Sequence, residues 1–162
     1  MNEDRLIQVD RMRYIKNSLS SNLAILAIIF DVLYFVSIYQ SNVGNYYYNY
    51  LIGVSIVYNL VFMLAAFLSS EGVKNYKKSY TYLLLALGVI QLARIFILPM
   101  RAHSALVSIG GVDTLAMGDK QFYILVVYLI VSAACLFASG VTNFLKCSAL
   151  ESHMKNLAEK SA

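Results

Sequence analysis

Residues 22–40 read NLAILAIIFDVLYFVSIYQ, an apolar run broken by one charge, Asp31. A helix rises about 1.5 Å per residue, so roughly 20 apolar residues cross the hydrocarbon layer of a bilayer. Three more stretches have this character: 50–69, 80–99 and 121–143. The third, YTYLLLALGVIQLARIFILP, again carries one charge, Arg94. No charge occurs from Val32 to Ser70, nor from Gln121 to Leu145. Asp31 and Arg94 are thus the two charges inside the four stretches. A charge at membrane depth is expensive and usually faces protein, a partner charge or water.

The rest of the composition agrees with this reading. Of 162 residues, 59% are hydrophobic and 14% charged, too few polar groups for the surface of a soluble domain. What lies outside the spans is too short for a second core. We therefore expect a single transmembrane domain over 1–162. The first span reads as a retained helix, because its apolar run exceeds a signal-peptide core and no small-residue cleavage pattern accompanies it.

The net charge of +4 is arranged by side. Arg5, Arg11, Arg13 and Lys16 precede span one; Lys74, Lys77 and Lys78 separate spans two and three; Lys146, Lys155 and Lys160 follow span four. The opposite side holds only Arg101 and Lys120. The positive-inside rule then puts tails 1–21 and 146–162 and the 70–79 loop in the cytoplasm. The basic balance is topological, with an added attraction to anionic lipid, and implies no nucleic-acid partner. The expected fold is an all-α membrane protein: an antiparallel bundle of four transmembrane helices, both termini cytoplasmic, in the plasma (inner) membrane.

The segments between spans are informative in places. Residues 1–21 mix charges with Leu6, Ile7, Val9, Met12 and Ile15, which fits a short interfacial helix or a tail ending in a polar turn at Asn17–Asn22. Tyr46, Tyr47, Tyr48 and Tyr50 on one side, and Tyr76, Tyr80 and Tyr82 on the other, supply the interfacial aromatic belts in a chain without Trp. The outer loop 100–120 contains Leu106, Val107, Ile109, Val112, Leu115 and Met117. It is too apolar for a free linker and should fold over the bundle mouth or meet a partner. His103, Asp113 and Asp119 in this loop lack a tight ligand spacing, so no metal or other cofactor is expected. After span four the residues remain good helix formers, with Leu150, Met154 and Leu157 along one edge. Cys135 lies within span four and Cys147 just past it, neither near the outer side, so a structural disulfide is not expected.

Counting along each span aligns one polar group per helix. Asp31 is ten residues from Ser21, Asn59 ten from Ser69, Gln91 eleven from Tyr80 and Ser132 eight from Gly140. These fall in one layer near the midplane, with Arg94 a turn further out. Small and polar residues continue the same faces: Ala24, Ala27 and Tyr34; Ser55 and Ala66; Thr81, Leu84 and Gly88; Tyr128, Cys135 and Ser139. Membrane helices use such faces to pack and hydrogen-bond. Ile25, Val32, Val36, Val89 and Val126 fall on the lipid-facing sides. Asp31, Asn59, Gln91, Arg94 and Ser132 thus form the candidate site, an intramembrane polar seam. Its structural reading is an Asp31–Arg94 pair that fixes the helices; Arg94 could instead snorkel outward past Pro99. Its functional reading is a proton, ion or ligand site on Asp31.

No catalytic constellation is present, so no enzyme is expected. The Glu of small multidrug carriers, the paired Asp of membrane aspartyl peptidases and the Cys pairs of thiol oxidases are absent. So are the successive Asp of lipid-linked transferases. The expectation is a non-catalytic accessory or interaction subunit of a larger membrane transport complex, contacting its partner through loop 100–120 or the C-terminal helix. The alternative is a small proton- or ion-coupled carrier or channel acting as a homo-oligomer.

Overall fold

A computed structural model describes residues 16–39, 49–109 and 111–161. Among these, four long helices form an all-helical framework: α1 (Ser18–Ile38), α2 (Asn49–Lys74), α3 (Ser79–Ile97) and α5 (Asp119–Ser161). Between α3 and α5 lie a short helix α4 (Pro99–Ser104) and the strands β1 (Leu106–Ile109) and β2 (Val112–Leu115). The four long helices have the length and mean hydropathy, 1.8 to 2.5, to cross a membrane. At most 39% of any span's apolar window is buried, so the apolar exterior far exceeds what water tolerates. This is consistent with an integral membrane protein.

Helix boundaries follow local chemistry. α1 begins at Ser18, before the expected start at residue 22, because Asn17 caps it by accepting the Ser20 N–H. The segment 18–22 is therefore the first helical turn rather than a polar turn. α2 runs past residue 69 to Lys74 and ends in a turn with Tyr76 at φ 56°. There the Lys77 N–H donates to Gly72 O and the Tyr76 N–H to Val73 O, the paired bonds of a Schellman cap. α3 stops at Ile97 rather than 99, since Pro99 has no N–H and instead opens α4. α5 runs on past residue 143, as the helix formers of the tail lead one to expect. It continues as one helix of 43 residues, about 65 Å long.

Helix α5 packs against α1 and α3, and α2 against α1 and, over a shorter contact, α3. The α1–α5 bonds run in opposite chain directions: Asn17 with Asn143, Ala27 with Ser132, Ser37 with Gln121. On α3 and α5 two glycines permit close approach. A Cβ on Gly88 would lie 3.0 Å from the Phe137 ring, and one on Gly140 would lie 3.0 Å from Leu85. Each large side chain fills the space that the facing glycine leaves.

The interior is layered along the bundle. One apolar cluster gathers Ala24, Ala27, Phe62, Ala66, Leu84 and Leu136. A second gathers Tyr34, Ile38, Leu125 and Leu129 with Ala102 and Met117 from the 100–120 segment. That segment therefore closes the far end of the bundle. Its hairpin pairs Leu106 with Leu115 and Ile109 with Val112, and Gly111 in the turn has φ 82°. Two adjacent glycines between β-branched residues are a hairpin signal that a reading for helices alone passes over. Residues 1–15 and the tyrosines at 46–48 lie outside the described residues.

Candidate functional site

Between the two apolar clusters lies a polar layer, with each of the four long helices contributing. Asp31 on α1 is 1% exposed and Arg94 on α3 is 4% exposed. Arg94 Nη1 donates to Asp31 Oδ1 at 2.5 Å and to Gln91 Oε1 at 2.8 Å. Gln91 Nε2 donates to Asp31 Oδ1 at 2.9 Å and to Ser132 Oγ at 3.0 Å. Ser132 in turn donates to the Ala27 carbonyl, and Arg94 Nη2 to Asn59 Oδ1. Asp31, Asn59, Gln91, Arg94 and Ser132 thus belong to one continuous network. Arg94 points towards Asp31 rather than past Pro99.

The guanidinium also sits against aromatic faces, 4.7 Å from the Tyr34 ring centroid, 5.0 Å from Phe62 and 5.5 Å from Tyr58. Such faces attract a cation through the ring quadrupole, more so where water is excluded. Sequence reasoning placed Tyr34 on the seam but missed Tyr58 and Phe62. Their signal was present: Tyr58 adjoins Asn59, and Phe62 is one turn from it. The network is not closed, however. Among the described residues Asp31 Oδ2 and Asn59 Nδ2 are buried without a hydrogen-bond partner. A buried unpaired polar atom costs free energy, so this is where the layer departs from simple structural packing.

Beside the layer, towards the hairpin end, residues of α1, α2, α3 and α4 surround a cavity of about 310 Å³. Tyr34, Ser55, Tyr58, Arg94, Leu98 and Arg101 are in its wall. A second hollow, lined by Gly53, Val54, Val57 and Tyr58, adjoins it and shares Val54 and Tyr58.

A second polar cluster, unforeseen from sequence, ties the other end together. Asn17 Nδ2 donates to Asn143 Oδ1 and Ser20 Oγ, both at 2.9 Å. Asn143 Nδ2 donates to Thr81 Oγ1 at 2.7 Å, and Lys146 Nζ to Asn17 Oδ1 at 2.9 Å. Ser21 shares a hydrogen bond with Ser70, and Ser139 donates to the Ser20 carbonyl. The Asn17 N–H donates to Lys74 O, so the start of α1 is pinned to the end of α2.

The loop histidine serves packing. His103 stacks on Phe122 at 4.5 Å, with Nε2 3.7 Å from Asp119 Oδ1. Asp113 sits on the hairpin, and no three His, Cys, Asp or Glu side chains converge among the described residues. Comparison with known families, curated proteins and solved structures finds no match to this chain.

Proposed function

We propose that this chain is a small non-catalytic membrane protein that acts as an accessory or interaction subunit of a larger transport complex in the plasma (inner) membrane. Its bundle is antiparallel, with both termini cytoplasmic and the 100–120 segment outside. The observation that carries the reading is the Asp31–Arg94 layer. Its two charges neutralise each other and join α1 to α3, with Asn59 and Ser132 drawing in α2 and α5. That is the chemistry of a scaffold. Surfaces for a partner remain beyond the bundle. From Ser148 to Asn156 no residue is buried, with Met154 60% exposed. On the hairpin, the paired Leu106 and Leu115 are 67% and 45% exposed.

The distribution of Lys and Arg supports the orientation. Single-cysteine labelling in a Cys-free background tests it: a cysteine at Ser108 should react from outside, and reaction only from inside would invert the topology. For the subunit role, native purification after mild detergent extraction should recover a larger partner in stoichiometric amount. Recovery as a homo-oligomer alone would favour the second reading, a proton- or ion-coupled carrier or channel. One observation supports that alternative: among the described residues, Asp31 Oδ2 and Asn59 Nδ2 are buried without a hydrogen-bond partner.

A further inference from the structure

Two adjoining hollows, one between α2 and α3 and one on the outer flank of α2, differ in chemistry, and together they have the character of an amphiphile site. Among the described residues, the first holds two cations, Arg94 and Arg101, and no carboxylate in its wall. Arg94 is compensated by Asp31. Arg101 is exposed, and its guanidinium has no hydrogen bond or ion pair among the described residues. The cavity therefore carries one uncompensated positive charge, beside the polar groups of Ser55 and Tyr58. The second hollow is apolar, floored by Gly53 and walled by Val54 and Val57. A Cβ built on Gly53 meets nothing within 4 Å, so the floor is open space. Val54, Val57 and Ile97 are each about half exposed on the apolar flank, so the cleft opens where the acyl chains of a bilayer would lie.

We propose that this cleft binds one anionic lipid from the surrounding bilayer. Its phosphate meets Arg101 at the rim, with Arg94, Ser55 and Tyr58 behind. One acyl chain lies over Gly53 against Val54 and Val57. An arginine fork suits a phosphate oxygen pair, and removing water from the contact strengthens it. A free aqueous anion would use the first hollow but would leave the second unexplained. The inference rests on the membrane placement of the chain and is independent of the partner role.

The test uses the full chain purified in a non-ionic detergent. Phosphatidylglycerol, phosphatidylcholine or inorganic phosphate is added, and lipid retained after washing is measured by native mass spectrometry. Wild type should keep phosphatidylglycerol at near-stoichiometric level and show little phosphatidylcholine. Arg101→Gln should weaken retention about tenfold, the scale of one charge-assisted contact, and Arg101→Lys should restore part of it. Gly53→Leu puts its Cβ into open space on an exposed helix face, so it should fold as wild type yet lose the lipid. Equal retention by both variants, or equal retention of phosphatidylcholine, would mean unspecific annular lipid and overturn the proposal. Displacement by inorganic phosphate alone would assign the site to an aqueous anion and overturn it too. Membrane fractionation of wild type reads the placement separately: a chain recovered in the soluble fraction removes the basis of both readings.

Discussion

The Asn17 end and the Asp31–Arg94 layer both bind helices through buried polar groups, yet they are built differently. The Asn17 cluster uses amides, hydroxyls and one lysine at the helix ends. Among the described residues, none of its buried side-chain polar atoms lacks a partner. The central layer uses full charges between the two apolar clusters and, among the described residues, leaves Asp31 Oδ2 and Asn59 Nδ2 unpaired. A fully satisfied polar cluster rigidifies, whereas an incompletely satisfied one carries the cost of its unpaired atoms. The first is a fully paired clasp; the second is a clasp with two atoms left over.

The comparison breaks most sharply at the charge pair. Asp31→Asn and Arg94→Gln should each lower stability by about 3–5 kcal/mol, because each leaves an uncompensated buried charge. The double variant should recover much of that loss. Thermal unfolding in detergent, read as a double-mutant cycle, measures the coupling. Additive losses would show that the two charges do not act as a pair. Normal folding of Asp31→Asn with loss of a transport activity would favour the carrier reading.

A smaller loss is expected at the clasp. Asn143→Ala removes bonds to both Asn17 and Thr81. It should cost about 1–3 kcal/mol, the penalty for buried groups left unpaired. A loss as large as that of Arg94→Gln would erase the distinction between the regions.

Smaller again is the glycine contrast. A Cβ on Gly72 would collide with the Tyr80 ring, whereas one on Gly53 meets nothing. Gly72→Ala should destabilise by about 1–3 kcal/mol through overpacking. Gly53→Ala should be neutral or gain up to about 1 kcal/mol from helix propensity. Melting temperatures in one detergent decide it, and equal shifts would contradict the packing described.

The least effect is expected at the exposed Lys78–Glu151 pair, 3.1 Å apart, which links the start of α3 to the extended α5. Its hydrogen bond to Glu151 raises the Lys78 pKa above the usual 10.5. A raised lysine pKa contributes stability below the ordinary value and loses it as pH rises through the raised one. Lys78→Gln should thus leave melting at neutral pH nearly unchanged, and added salt should abolish any difference. A large shift would place this pair among the clasps.

The height of the seam is legible in the sequence because helix rise is constant. Counting residues along each span is enough to set Asp31, Asn59, Gln91 and Ser132 at one level. The faces are legible for the same reason: Ala24, Ala27, Leu84 and Ser139 are buried, while Ile25, Val32, Val36 and Val89 are exposed. Val126, expected to face lipid, is half-buried. Helix ends are less legible. Asn17 as a cap and Pro99 as a stop have sequence signals, but the continuation of α5 has none sharper than helix propensity.

Other features were settled only by the tertiary structure. Arg94 could reach inward or outward with the same sequence; the approach of α1 and the rings of Tyr34, Tyr58 and Phe62 brought it to Asp31. Asn17 and Asn143 are 126 positions apart, and no periodicity relates them. The cavity is walled by Tyr34, Ser55, Arg94 and Arg101, residues far apart in the chain that only the folded arrangement brings together. The sequence by itself determined spacing along each helix, since backbone hydrogen bonding is local. Azimuth, tilt and separation between helices come from side chains meeting across the bundle, so only the folded chain decided them.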